Sequence, residues 1–275
     1  MNWFDYWIIH FLNSFAQRWW IADAFVVQLS KDGFQVAGVL MTIFWWVWMK
    51  HGKEDVEKRV TLLANLFLIA FAVLVARVLA AGLPYRERPL RDPVLHFQLP
   101  FTANPESLIH WSSFPSDHAV VIFCLATGLW MTSRRLGAWA LAYAALISLP
   151  RVYVGAHYPS DILAGALLGM GIAFLAYVPS LRRVGRTLLG YLEPHPAFLY
   201  CFLFAWTDEI GEMFDSLRRF GLLGLKVALR CPRGQVEDIA FPLLLAGLLC
   251  VWAWLVWLKR TPGPQRAARS SHHHG

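Results

Sequence analysis

His157, Asp161, His118, Arg88, Arg151 and Ser116 are the side chains whose types and spacing could do chemistry together. They fall in three short polar stretches: Tyr85-Arg86-Glu87-Arg88-Pro89, Phe114-Pro115-Ser116-Asp117-His118, and Pro150-Arg151 followed by His157 and Asp161. In His157-Tyr158-Pro159-Ser160-Asp161 the proline suits the start of a helix and the carboxylate its first turn, so Asp161 can fold back onto the His157 ring. A carboxylate on one imidazole nitrogen fixes the tautomer and leaves the other nitrogen as a nucleophile. Arg88 and Arg151 offer planar forks that match phosphoryl oxygens. Ser116 and the N–H groups of the helix it opens add donors for the same anion, and Asp117 is grouped with that phosphate-binding set. His118 can then protonate the departing oxygen. Together these are the parts for phosphoryl transfer without a metal: positioning, charge neutralisation, one nucleophile and one acid. No carboxylate cluster suited to a divalent cation stands out, so neither a metal nor another cofactor is expected.

Taken singly, each residue has a plainer explanation. A histidine at a helix end ordinarily packs or is solvated, and arginines such as Arg86, Arg88 and Arg91 ordinarily snorkel to a membrane interface. Convergence of these types in fixed spacings on one side is what favours a site. His96 and His110 lack a motif and read as loop residues, with His110 and Trp111 able to line an entrance. Glu193, Asp208, Glu209 and Glu212 read as solvated faces.

The elements that must position these groups are membrane helices. Crossing a hydrocarbon core takes about 20 apolar residues. Clear runs of that kind are Phe34 to Met49, Val60 to Leu83, Ile162 to Leu181 and Ala240 to Leu258. Two shorter runs, Ala119 to Met131 and Leu136 to Leu149, flank Ser133-Arg134-Arg135 and read as a hairpin. The expected fold is an all-α polytopic bundle of about six transmembrane helices. Lys50, Lys53, Lys58 and Arg59, then Arg134 and Arg135, then Arg182, Arg183 and Arg186, and finally Lys259 and Arg260 mark cytoplasmic ends. The polar motifs then share the outward face, and a bacterial inner membrane with the site facing the periplasm is the expected setting.

Four regions follow: residues 1–33 as an interfacial N-terminal helix, 34–181 as the core, 182–260 as a C-terminal extension, and 261–275 as a tail. The first carries Trp3, Trp7, Ile8 and Phe11 at helical spacing among Asp5, His10 and Asn13. It lacks the basic start and cleavage site of a removable signal. In the extension, a crossing is expected near residues 196–206, followed by a surface helix from Thr207 to Arg219 with acidic first turns and a basic end. Ser270 to Gly275 reads as the remnant of a purification tag.

Composition agrees. Of 275 residues, 57% are hydrophobic, mean hydropathy is +0.45, and 14 Trp and 19 Phe crowd near the ends of apolar runs. The net charge of +7 is dispersed in short clusters beside those runs, not along a stripe that would fit nucleic acid. Cys124, Cys201, Cys231 and Cys250 have no paired spacing, which disfavours a disulfide framework or a zinc site.

The motifs, in order, resemble the type 2 phosphatidic acid phosphatase family of integral membrane lipid phosphatases, over about residues 34–181. Arg88-Pro89, then Pro115-Ser116-Asp117-His118, then Arg151, His157 and Asp161 carry the resemblance. It implies that His157 forms a phosphohistidine, Asp161 orients it, His118 is the general acid, and Arg88, Arg151 and Ser116 hold the phosphate. There are two departures. Ala81 stands where the family has a lysine ahead of its Arg-Pro, and Arg77 or Arg86 would replace that cation, with Arg86 preferred as nearer the mouth. Pro150 precedes Arg151 where a serine is usual, which removes one donor. The expected partners are a lipid phosphate and the surrounding membrane lipids, with a homodimer left open. Undecaprenyl pyrophosphate is the first choice of substrate. Phosphatidic acid, phosphatidylglycerophosphate and lipid A phosphates are alternatives, as are phosphotransfer to an acceptor and a lipid transporter with a decayed site.

Overall fold

A helix satisfies its own backbone polar groups, so a chain that enters lipid builds its frame from helices. The computed structural model describes residues 2–31, 37–50, 55–104, 112–212 and 214, and every regular element among them is helical. Helices α1 (Trp3–Asn13) and α2 (Trp20–Lys31) precede α3 (Val39–Lys50) and α4 (Val56–Gly82). A loop with short 3₁₀ turns at Pro89–Arg91 and Pro93–Leu95 leads to α5 (Asp117–Thr132), α6 (Arg134–Tyr153) and α7 (Pro159–Ala173). α7 runs on as a 3₁₀ turn to Tyr177, and α8 (Pro179–Leu192) and α9 (Pro196–Gly211) follow.

α4, α6 and α7 with its extension are long and apolar enough to cross a membrane, while α3 and α5 are shorter apolar helices. α4, with 27 residues, is about 40 Å long. α5 can be shorter because protein surrounds it: Val120, Val121, Ile122, Leu125 and Leu129 are all buried, and α4, α6 and α7 pack around it. α6 and α7 turn Trp139, Leu146, Leu163 and Leu167 outward. Exposed apolar faces of this kind are stable in lipid rather than water, and the chain is an integral membrane protein.

α5 and α7 approach closely enough that Gly165 has no room for a side chain. A Cβ there would lie 2.5 Å from the Ser116 carbonyl oxygen and 3.0 Å from Ala119 Cβ. The contact sets the starts of the two helices side by side, with Ser116 N–H donating to the Asp161 carbonyl at 3.2 Å. At the other end, Glu57 at the start of α4 pairs with Arg182 and Arg186 of α8.

The N-terminal region differs from the expected single interfacial helix. Its aromatic face, with Trp3, Trp7, Phe11, Trp19 and Trp20, does point outward. The opposite face of α1 presents Asp5, Ile9 and Asn13 to the bundle, where they are buried. Asn13 exchanges hydrogen bonds with the backbone of Gln98, at 2.7 and 2.9 Å. Asp23 of α2 accepts from Gln17 N–H at 2.9 Å, Phe101 N–H at 2.8 Å and the Tyr153 hydroxyl. Both helices therefore dock through buried polar groups.

The C-terminal expectations are altered too. Residues 196–206, where a crossing is expected, lie in α9, which continues unbroken to Gly211, so no separate helix begins at Thr207. The Thr207 hydroxyl bonds back to the Phe204 carbonyl at 3.0 Å instead of capping a new helix, and Trp206 Nε1 donates to the Leu66 carbonyl at 3.1 Å. Glu193 is not a solvated face: it pairs with Arg59, whose buried guanidinium lies 4.4 Å over the Trp48 ring. α8 and α9 belong to the same compact unit as α1 to α7. The expected span at Ala240 to Leu258, the tail from 261, Cys231, Cys250, His110 and Trp111 lie outside the described residues.

Two outcomes follow from this packing. Gly165→Val should drive the starts of α5 and α7 apart and lower the thermal midpoint in detergent, with the protein still inserted in membranes; an unchanged midpoint would contradict the close approach. Asp23→Ala leaves three donors without their acceptor and should cost about 3 kcal/mol, read as a lower thermal midpoint in detergent.

Candidate active site

Four helix ends converge on the three polar stretches. The loop after α4 supplies Arg86 and Arg88, the start of α5 supplies Ser116, Asp117 and His118, the end of α6 supplies Arg151, and the turn into α7 supplies His157 and Asp161. Each placement has a local cause. Ser116 caps α5, its hydroxyl accepting from Ala119 N–H at 3.5 Å. Pro159 occupies the first turn of α7, and the Asp161 carboxylate accepts from Tyr158 N–H at 2.8 Å. Between α6 and His157 the chain reverses at Gly155, with φ of 71°, where a Cβ would meet Leu90 and Phe97 at 2.8 Å. The Gly155 carbonyl accepts from Leu90 N–H at 3.0 Å, which draws the Arg88-Pro89 segment against the turn.

His157 is buried, and its Nδ1 lies 2.8 Å from the Ser113 carbonyl oxygen. A carbonyl can only accept, so Nδ1 carries the proton and Nε2 keeps its lone pair. Asp161 Oδ2 stands 3.9 Å from the same Nδ1, beyond hydrogen-bond range. The carboxylate takes instead the Ser113 hydroxyl, Tyr158 N–H and Arg86, so it orients the ring through Ser113 rather than by direct contact. Burial, then the charges of Arg151 and Arg88, push the His157 imidazole well below its ordinary range, with the Ser113 carbonyl acting the other way. The ring is thus neutral near neutral pH.

Arg151 reaches both the helix frame and the second imidazole. Its Nη1 donates to the Ser30 carbonyl at 2.6 Å and its Nη2 to His118 Nδ1 at 2.9 Å. Since guanidinium only donates, Nδ1 of His118 accepts, and a neutral His118 carries its proton on Nε2. Arg151 Nε is buried with no hydrogen-bond partner. An orphaned donor in an apolar interior is costly, and an anion would satisfy it. Arg88 donates to the Ala156 carbonyl at 2.5 Å and is 5% exposed, its pKa lowered by burial against the pull of Asp117 and Asp161. Guanidinium groups of this kind suit the oxygens of an anion.

Arg86, preferred as the replacement for the cation missing at Ala81, is held elsewhere. It lies between two carboxylates, donating to Asp5 at 2.7 Å and to Asp161, and to Ser160 Oγ at 2.9 Å, with its guanidinium 4.0 Å over the Tyr158 ring. Arg77 of α4 pairs with Asp117 at 2.6 Å, and its charge acts on both His157 and Arg88.

Ser113 and Asp5 were not among the residues singled out from sequence. Ser113 lies just ahead of the Pro115-Ser116 motif, and a serine in Trp111-Ser112-Ser113 carries no distinguishing signal. Asp5 had one: a carboxylate on the face of α1 opposite its tryptophans needs a partner. Among the described residues no group of His, Cys, Asp and Glu is arranged to hold a metal ion.

Residues 83–184 match the model of the PAP2 superfamily. An undecaprenyl-diphosphatase of Sulfolobus acidocaldarius is 34% identical over 137 residues, covering 46% of this chain and 65% of that protein. Undecaprenyl-diphosphatase BcrC of Bacillus subtilis is 23% identical over 173 residues, 63% of this chain and 82% of that one. A lipid A 1-phosphatase of Rhizobium johnstonii is 29% identical over 114 residues, 41% of this chain and 45% of that one. The match to the Sulfolobus protein thus spans just under two thirds of that protein's length. The segment similar to the PAP2 superfamily holds every motif residue gathered at the helix ends, from Arg88 to Asp161.

Proposed function

We propose that this protein hydrolyses a phosphate ester or anhydride of a membrane lipid through a phosphohistidine on His157. The observation that carries the reading is the pair of imidazoles near Arg151: His157, with Nδ1 on the Ser113 carbonyl and the Arg151 charge acting on its ring, and His118, with its Nδ1 on the guanidinium. His157 Nε2 attacks phosphorus, the bond to the leaving oxygen breaks, and His118 Nε2–H protonates that oxygen. Phosphate oxygens draw the Arg151 fork, including the orphaned Nε, away from His118 Nδ1, which is then free to hold the proton that makes this ring an acid. Water next attacks the phosphohistidine, His118 accepts its proton, the P–N bond breaks and inorganic phosphate leaves. Arg88, Arg151 and Arg77, with Ser116 at the tip of α5, neutralise the phosphoryl charge. Asp117 tethers Arg77.

The site lies at the end of the bundle away from Arg182 and Arg186, so by the positive-inside rule it faces outward, which is the periplasm for a bacterial inner membrane. An apolar groove of about 530 Å³ between α2 and α6, lined in part by Leu29, Leu146, Ile147 and Pro150, suits a hydrocarbon chain. Its lining residues Leu29 and Pro150 are the chain neighbours of Ser30 and Arg151, which are hydrogen-bonded to each other. A polyprenyl diphosphate is the favoured substrate, supported by relatives named undecaprenyl-diphosphatase. Similarity to a lipid A 1-phosphatase supports a second reading, in which the substrate is a saccharolipid phosphate.

Purified protein offered farnesyl diphosphate, phosphatidic acid, phosphatidylglycerophosphate and lipid A in mixed micelles should release phosphate fastest from the prenyl diphosphate, with or without EDTA. Loss of turnover in EDTA would contradict the mechanism. Arg77→Gln should raise KM about tenfold with a smaller change in kcat, as expected for a phosphate-binding cation. Because the depressed pKa keeps His157 neutral, the acid limb of kcat/KM should fall at a pH below that at which an exposed imidazole protonates, with activity lost as pH drops further.

A further inference from the structure

The buried carboxylate of α1 lies outside the matched segment and belongs to none of the motifs, yet it touches the motif network directly. Asp5 is 0% exposed. Its Oδ1 accepts from Ser160 N–H at 2.8 Å, and its Oδ2 accepts from the Ser160 hydroxyl at 2.6 Å and from Arg86 at 2.7 Å. Arg86 in turn donates to Asp161, Asp161 accepts the Ser113 hydroxyl, and the Ser113 carbonyl takes His157 Nδ1–H. A continuous chain of hydrogen bonds, buried at both ends and partly exposed at Arg86, therefore joins the first helix to the His157 imidazole.

Charge explains why that chain needs its outer end. Arg86 carries one positive charge and Asp161 one negative, so alone they cancel. Asp5 leaves this cluster with one net negative charge, and it holds the guanidinium on the carboxylates, stacked on Tyr158, instead of free to join the phosphate cations. The other charged groups around His157 are Arg77 of α4, Arg88 of the following loop, Asp117 and His118 of α5, and Arg151 of α6. A ring that becomes cationic as its Nε2 takes up phosphorus is opposed by those three arginines, and the extra negative charge offsets them.

We infer that Asp5 is a positioning residue of the active site, which fixes Arg86 between two carboxylates and thereby sets the orientation and the charge environment of His157. The N-terminal helix is then a working part of the site and not a membrane anchor alone. The inference rests on the proposed phosphatase chemistry, and the two can fail separately.

The test uses the full chain in mixed micelles with farnesyl diphosphate, following phosphate release against pH. Asp5→Asn keeps the shape and removes the charge. It should lower kcat at least tenfold, leave KM within about twofold, and move the acid limb of the profile down by about half a pH unit, because losing a negative charge disfavours the imidazolium. Asp5→Asn combined with Arg86→Gln restores one net negative charge and should return the acid limb to the wild-type position, which a purely structural role would not do. Asp5→Asn with a wild-type kcat and profile would overturn the inference. Should that variant not fold, Arg86→Gln alone reads the same link: unchanged kcat there also overturns it. No phosphate release by the wild-type protein from any lipid phosphate would instead sink the phosphatase reading.

Discussion

The hydrogen bond from His157 Nδ1 to the Ser113 carbonyl decides which nitrogen of a buried imidazole keeps its lone pair, and the rest of the site is arranged around that choice. With Nδ1–H fixed, Nε2 keeps its lone pair, and burial with the charges of Arg151 and Arg88 keeps the ring neutral. The same arginines that suppress protonation are the ones that would grip a phosphate. Arg151 Nε is a buried donor without a partner, and Arg88 is buried against carbonyl oxygens.

That geometry depends on the helix frame. α5 sits at the centre of the bundle, and its close approach to α7 over Gly165 sets Ser116 and Asp161 beside each other. The N-terminal pair adds polar clamps, Asn13 on Gln98, Asp23 on Phe101 and Tyr153, and Asp5 on Ser160 and Arg86. In a membrane such buried polar bonds specify position where apolar packing against lipid cannot, because lipid tails are as apolar as the side chains they meet.

Much of this was legible in the sequence. Apolar runs bounded by charge located α3 to α7, since lipid demands both length and hydrophobicity. The three motifs named His157, His118, Arg88, Arg151, Ser116 and Asp161 because phosphoryl chemistry requires those residue types, and the fold brings them to one end of the bundle. What stayed hidden depended on distant pairing. Arg86 looked free near the mouth, but a carboxylate some eighty residues earlier claims it. Ser113 acts through its backbone carbonyl, which any residue possesses. α9 runs past Thr207 because tertiary contacts through Trp206 and Ile210 outweigh a local capping signal.

The most direct measurement is a single-turnover quench with farnesyl diphosphate radiolabelled at its terminal phosphate. Protein-bound label that survives alkali, is lost in acid and maps to His157 is the predicted result. It should accumulate further in His118→Ala, where hydrolysis of the intermediate is slowed. Full turnover with no such label, or with His157 replaced by alanine, would contradict the mechanism.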